Sequence, residues 1–298
     1  CGSDSGGSTG SGGGDLSGKI AIDGSSTVGP LTSAVAEDFN GDNPGVDITV
    51  GTSGTGGGFE VFCKGETDIS DASREIKDEE AKACADAGIE FVEFQVATDA
   101  LTVVTNKEND WATCLTTDQL KTMWGPEAEG AVDNWNKVDP SFPDQALTLY
   151  GPGTDSGTFD YFTKEINGEE GASRADYNAS EDDNVTVQGV EGDKGALGYF
   201  GLSYYEQNQD KLTAVQVDSG NGCVAPSAET ALDGTYTPLS RPLFVYVKKE
   251  SFTRPEVEAF VKYMLDNNET VAGEALFIPL TADQKAQEEA DYAAALGA

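Results

Sequence analysis

The sequence contains no histidine. That absence removes the Ser-His-Asp triad, histidine-ligated zinc and imidazole general-base chemistry together. Basic residues are scarce: 18 Lys and Arg stand against 53 Asp and Glu, a formal charge of −35. Only Arg74, Arg174, Arg241 and Arg254 carry a guanidinium. A surface this acidic repels nucleic acid and anionic membrane, so neither is expected as a partner. Long apolar runs are missing as well. Leu243-Phe244-Val245-Tyr246-Val247 is among the longest, far short of the roughly 18–20 residues of a membrane span. There is no CxxC pair, no GxSxG elbow around Ser26, Ser53 or Ser156, and no nucleotide-cradling P-loop. No internal repeat of solenoid length occurs.

What is present suffices for a folded protein. A chain of 298 residues, 38% hydrophobic and 9% aromatic, can build cores, and its length suggests two domains. It opens on Cys1 and stays rich in Gly and Ser to Gly14, a composition with nothing to bury. A Cys followed by such a tether resembles a bacterial lipoprotein after signal cleavage. On that resemblance Cys1 carries lipid, residues 1–17 are a flexible tether, and the chain is extracytoplasmic, at a cell surface or in a periplasm, touching membrane through its lipid only. An exported chain meets an oxidising environment, where Cys63, Cys84, Cys114 and Cys223 could form two disulfides. Three pairings exist. Cys63–Cys84, a local loop, with Cys114–Cys223, a distant tie, is the favoured one. A metal site is the rival, weakened by the missing CxxC.

Along the chain, apolar strand-like stretches end in small polar residues and run into helical patterns. Lys19–Asp23 leads through Gly24-Ser25-Ser26-Thr27-Val28-Gly29-Pro30 to Leu31, Val35 and Phe39, which fall on one helix face. Val46–Val50 leads through a glycine-rich stretch to Phe59 and Phe62. Leu147–Tyr150 leads through Asp155-Ser156-Gly157-Thr158 to Phe159, Phe162 and Ile166. Separate strands are expected at Phe91–Val96 and Leu101–Thr105, and helices at Lys77–Ala87, Asp118–Trp124, Pro255–Asn267 and Ala282–Leu296. This alternation predicts an α/β architecture with a largely parallel sheet.

Three of the turns share one design. Ser26-Thr27-Val28, Ser53-Gly54-Thr55 and Ser156-Gly157-Thr158 each join a strand to a helix with hydroxyl-bearing and small residues. Such turns present hydroxyls and free backbone N–H groups at the positive ends of helices, where oxyanions bind. One turn alone would be read as helix capping. Three that converge could surround a tetrahedral oxyanion.

Four stretches in order, Asp23–Pro30, Gly51–Phe59, Asp68–Arg74 and Asp155–Thr158, resemble the PstS family of phosphate-binding receptors of ABC transporters. The similarity covers roughly residues 18–280. It implies a two-lobed periplasmic-binding-protein fold, with two α/β lobes, two crossover hinges and inorganic phosphate in the cleft between them. The crossings would fall near Gln95–Ala100 and Leu239–Leu243. That leaves 18–98 plus 239–298 as one lobe and 99–238 as the other. The implied phosphate contacts are Ser26, Thr27, Val28, Ser53, Gly54, Thr55, Ser73, Arg74, Asp155, Ser156, Gly157 and Thr158. The chain departs from the family pattern twice. Ser73 stands where an Asp accepts the proton of hydrogen phosphate, and Pro152 and Gly153 stand where an Arg is common. Arg74 could supply the cation, and Asp71 or Asp155 the acceptor.

The resulting expectation is a monomeric receptor without cofactor that hands phosphate to an ABC permease. A receptor for sulfate, molybdate or another oxyanion, or a surface phosphate sensor or adhesin, is the alternative. A phosphatase or serine hydrolase is disfavoured by the missing histidine and the missing metal-ligand cluster.

Overall fold

The computed structural model describes residues 16–297. Cys1 and most of the expected tether lie outside the described residues. In chain order the first elements are β1 (Ser17–Gly24), α1 (Gly29–Asp42), β2 (Gly45–Val50), α2 (Thr55–Phe62), β3 (Ile69–Ala72), α3 (Asp78–Asp86) and β4 (Phe91–Asn106). Then come β5 (Cys114–Thr116), α4 (Thr117–Trp124), α5 (Trp135–Val138), β6 (Thr148–Gly151), α6 (Gly157–Phe162), β7 (Asn178–Ala179), α7 (Asp183–Gly192), β8 (Ala196–Gly201) and α8 (Leu202–Gln207). The last are β9 (Leu212–Ala214), β10 (Gln216–Asp218), β11 (Cys223–Val224), α9 (Ala228–Leu232), β12 (Ser240–Lys248), α10 (Pro255–Asp266), α11 (Asn268–Glu274) and α12 (Ala282–Ala295).

Local chemistry explains the helix boundaries. Pro30 occupies the first turn of α1, where a missing N–H leaves no bond unmade. The Thr116 hydroxyl accepts from Gln119 N–H while the Gln119 side chain accepts from Thr116 N–H, a reciprocal cap that starts α4. Gly88, with φ +74°, follows the last turn of α3 as expected for a left-handed helix stop.

The main sheet runs β2-β1-β3-β12-β4-β8-β6-β7, with β9 also on β4, while β5, β10 and β11 form a small second sheet. One lobe packs around Leu31, Val35 and Phe39 of α1 and Val257, Phe260 and Val261 of α10, with Phe39 edge-on to Phe260 at 5.5 Å. The other packs around Trp124, Trp135, Phe162 and Tyr199, where Phe162 stacks on Tyr199 at 3.9 Å. The fold is therefore α/β and two-lobed.

Two expectations need correction. Phe91–Val96 and Leu101–Thr105 are not separate strands but halves of one 16-residue strand, β4. Its first part pairs with β12 and its last part, from Leu101 on, with β8 and β9. The sheet is also less parallel than expected. β12 runs antiparallel to β3 and β4, and β4 antiparallel to β8. The reason is topological: a chain that crosses between lobes and later returns brings two opposed strands side by side. The break that the sequence suggests near Ala97–Ala100 is a change of partner, not an end of strand.

Disulfides join Cys63 to Cys84 and Cys114 to Cys223. The first ties α2 to α3 and the second ties β5 to β11, so each stays within a lobe.

A candidate oxyanion cleft

A cleft of about 840 Å³ opens between the lobes. Its lining draws on the turn before α1 (Ser25, Ser26, Thr27), the turn into α2 (Ser53, Gly54, Thr55), Ser73 and Arg74 after β3, and Gly157 at the start of α6. Residues from four separate stretches of sequence thus meet at one place.

Each turn is held by its own bonds. Ser25 N–H donates to the Asp71 carbonyl at 2.9 Å, and the Ser25 hydroxyl accepts from Thr27 N–H at 3.2 Å. Gly24, with φ +148°, allows this approach: a β-carbon there would stand 2.1 Å from the Asp71 carbonyl oxygen. In the second turn one carboxylate does most of the positioning. Asp23 accepts Ser53 N–H at 3.0 Å on one oxygen and the Ser53 hydroxyl at 3.0 Å on the other. The Thr55 hydroxyl accepts from Ser73 N–H at 3.2 Å and lies 3.1 Å from the Ser73 hydroxyl, which fastens β3 to the start of α2.

Arg74 reaches the lining with much of its guanidinium committed. It donates a two-pronged bond to Glu80 of α3, 2.8 Å on each side, and a further bond to the Glu75 carbonyl at 3.0 Å. Burial opposes ionisation of Glu80, but the Arg74 fork and Lys77 N–H outweigh it, and the carboxyl lies below its usual range.

The remaining expected residues flank the lining. Val28 is wholly buried and packs its side chain into the first lobe's core. Ser156 caps α6, accepting Thr158 N–H on its hydroxyl at 3.2 Å, and neither Ser156 nor Thr158 is part of the lining surface. Asp155 is exposed on the turn before them and is not part of it either. Asp71 lies beneath the cleft, fully buried, with the Thr32 hydroxyl donating to it at 2.7 Å. Burial lifts its carboxyl to about 7, the Thr32 bond works the other way, and the charge of Asp23 adds to the rise.

Sequence reasoning missed Arg241. This residue of β12 lines the cleft, with its guanidinium 3.6 Å above the Tyr161 ring of α6. It donates to the Thr27 hydroxyl at 3.0 Å and to Asp99 through two bonds of 3.3 Å. Burial raises the Asp99 carboxyl, and Arg241 opposes that rise. A signal was available: one of only four arginines stands inside the stretch expected to cross between lobes. Asp23 was also missed, as a carboxylate closing a strand just before a hydroxyl-rich turn.

Around these donors the charges nearly balance. Arg74, Lys77, Lys164 and Arg241 line the cleft together with Glu75, Asp160, Glu165 and Glu170. Burial raises the Asp160 carboxyl, Glu170 adds to the rise, and Arg241 opposes it. Hydroxyls, N–H groups at helix ends and guanidinium forks suit a small oxyanion; among the described residues no cluster of His, Cys, Asp and Glu could hold a metal ion.

Comparison with known proteins agrees with this chemistry. Residues 9–268 match the family model of the PBP superfamily domain. The phosphate-binding protein PstS of Staphylococcus saprophyticus is 42% identical over 265 residues, covering 88% of this chain and 81% of the relative. The chain belongs to the PstS family. Protein SphX of Synechocystis is 52% identical over 263 residues, covering 88% of this chain and 78% of the relative. The crystal structure of a possible phosphate-binding protein from Planctomyces limnophilus superposes with a TM-score of 0.91 at 46% identity, over 94% of this chain and 99% of that one. A putative phosphate ABC transporter substrate-binding protein from Clostridium perfringens, solved with bound phosphate, gives 0.58 at 26% identity, over 89% and 100%.

Proposed function

We propose that this PstS-family chain captures inorganic phosphate in the interlobe cleft and delivers it to the permease of an ABC transporter. It acts as an extracytoplasmic receptor and not as an enzyme. The observation that carries the reading is the convergence of the Ser25–Thr27, Ser53–Thr55 and Gly157 turns with two guanidinium groups on one cleft between two lobes. Lobe closure around the ligand follows the hinge logic of such architectures.

Phosphate contacts are assigned to Ser26, Thr27, Ser53, Thr55, Ser73, Arg74 and the turn Ser156–Thr158, with Val28 offering a backbone N–H; Gly54, whose own N–H donates to the Gly24 carbonyl at 2.8 Å, shapes the second turn. Asp155, exposed and outside the cleft lining, is assigned no contact. The lobes are assigned as 18–98 with 239–298, and 99–238. The partner change of β4 at Leu101 supports that division, as does the bond from Leu101 N–H to the Leu239 carbonyl at 2.8 Å, which ties the two crossings together. A lipid on Cys1 and a monomeric state rest on the sequence reading alone.

Calorimetric titration with phosphate, sulfate and molybdate tests the function. Saturable phosphate binding with no release of product from phosphate esters is the expected result. Binding of sulfate or molybdate in place of phosphate would overturn it.

A further inference from the structure

Arg241 differs from every other arginine of the chain in what it touches. Arg74 bonds only within the first lobe, to Glu80 and Glu75. Arg254 bonds to the Lys19 carbonyl and pairs with Asp68 and Glu256. Arg174 holds Asp176 and the carbonyls of Met123 and Val132, all in the second lobe. Arg241 alone joins the two. It stands on β12 directly opposite Asp99 of β4, at the strand pair where the chain passes between lobes. From there one terminal nitrogen, Nη2, donates to Thr27 of the first lobe, and the guanidinium plane lies over Tyr161 of the second.

Arg241 and Arg74 each commit three of their five N–H groups, but only Arg241 leaves a terminal nitrogen with both of its N–H groups unbonded. Nε and Nη2 bind Asp99 and Thr27, while Nη1, with two N–H groups, bonds to none of the described residues and is not enclosed. Both N–H groups of Arg74 Nη1 are bonded, to Glu80 and Glu75. The site therefore holds one guanidinium anchored on a helix carboxylate and one anchored on the hinge, on a residue that lines the cleft, with its Nη1 unbonded.

We propose that Arg241 is a second cationic ligand of the captured oxyanion, and that its seat on the hinge couples anion binding to lobe closure. The buried Asp99 holds the guanidinium through one oxygen, Oδ2, which accepts from both Nε and Nη2. An anion on the Nη1 side adds a third partner to a cation that already holds the Thr27 turn and the Tyr161 helix, and so strengthens the closed arrangement of the lobes. At this cation the lobes are linked by the Thr27 bond, the Tyr161 stacking and the pair with Asp99. The inference rests on the oxyanion-receptor reading above and adds a residue and a closing mechanism to it.

The test pairs titration with small-angle X-ray scattering on wild type, on Arg241→Lys and on the double variant Arg241→Gln with Asp99→Asn. The double variant removes both charges together, so that no carboxylate is left buried without its partner. Circular dichroism establishes that each is folded. Wild type should bind phosphate and contract on binding. The double variant should bind at least tenfold more weakly and show no contraction. Arg241→Lys should keep part of the affinity, because a point charge remains, which a purely structural role at the hinge does not require. Wild-type affinity and contraction in the double variant would overturn the role of Arg241 alone. Failure of wild type to bind any of the oxyanions would overturn the receptor reading, and this inference with it.

Discussion

Gly157 of the second lobe lies against Thr27 of the first, so close that a β-carbon at Gly157 would stand 2.8 Å from the Thr27 hydroxyl oxygen. The two turns that belong to different lobes thus meet with only a hydrogen on one side. Gly157 begins α6 with an ordinary backbone conformation, so its lack of a side chain answers a need for space and not for unusual geometry.

Gly157→Ala therefore separates binding from folding. Alanine suits the first turn of a helix at least as well as glycine does, so the melting temperature should hold or rise. The added methyl meets Thr27 on closure, and phosphate affinity should fall by roughly tenfold or more, about 1.4 kcal/mol. Calorimetry and thermal melting on the same sample check both halves. A variant with unchanged affinity would mean that the lobes need not meet here.

Asp23→Ala should loosen the second turn. Asp23 holds Ser53 through both its N–H and its hydroxyl, and loss of a charged acceptor leaves two donors without a fixed direction. Phosphate binding should weaken by about 1–3 kcal/mol. Ser53→Ala should weaken it less, since the N–H remains held. Equal effects of the two variants would show that only the hydroxyl matters.

These residues also mark where sequence reading succeeds and where it stops. The turns at Ser26, Ser53 and Gly157 were legible because capping and helix-end chemistry is local: a strand, a few small residues and a helix can be read in one window. The cysteine pairing was legible as a choice between a local loop and a distant tie. Arg241 was not, because its place in the cleft depends on β12 lying opposite Asp99, a pairing between residues more than a hundred positions apart. The unity of β4 escaped for a related reason. Ala97–Ala100 carries small and polar side chains that look like a break, yet β12 continues to pair across it. Arg74 lies on the lining, and its fork to Glu80 was not legible, because the partner sits on the next helix.

Asp71 gives the fold a predictable pH dependence. Its folded carboxyl holds a proton up to about 7, whereas an unfolded aspartate loses it near 3.9. Between those values the folded chain binds one proton more than the unfolded chain, so this group's contribution to stability declines as pH rises. It is whole below about pH 4 and gone above about 7. Asp71→Asn removes the effect while keeping an acceptor for Thr32. The melting temperature of wild type should fall relative to that of the variant as pH goes from 4 to 8. Glu288 and Asp183, which burial also lifts, to about 7 and about 6, titrate alike in both proteins and cancel in the difference. Parallel melting curves would show that Asp71 ionises at its ordinary value.

The Cys114–Cys223 bridge closes a separation of 109 residues, and Cys63–Cys84 one of 21. In the chain-entropy view a loop near 100 residues contributes about 4.7 kcal/mol. Cys223 is exposed and Cys114 half-buried, so serine at both positions removes the bond with little loss of packing. Urea unfolding of Cys114→Ser with Cys223→Ser should show a loss of about 2–5 kcal/mol. A loss below 1 kcal/mol would mean that the unfolded second lobe is already compact.

The charge of −35 makes an anion's approach unfavourable at long range. Distributed carboxylates are screened beyond about 8 Å at physiological salt, whereas bonds formed inside the cleft are not. The cleft itself sets Arg74, Lys77, Lys164 and Arg241 against Glu75, Asp160, Glu165 and Glu170, so its own long-range field nearly cancels. Attraction then begins only at hydrogen-bond distance. Stopped-flow association with phosphate should hold steady or quicken as salt rises, because screening weakens the repulsion from the surface more than it weakens any steering. A steep fall in the association rate would instead mean that Arg74 and Arg241 project a field past the acidic rim, and that the neighbouring carboxylates do not offset it.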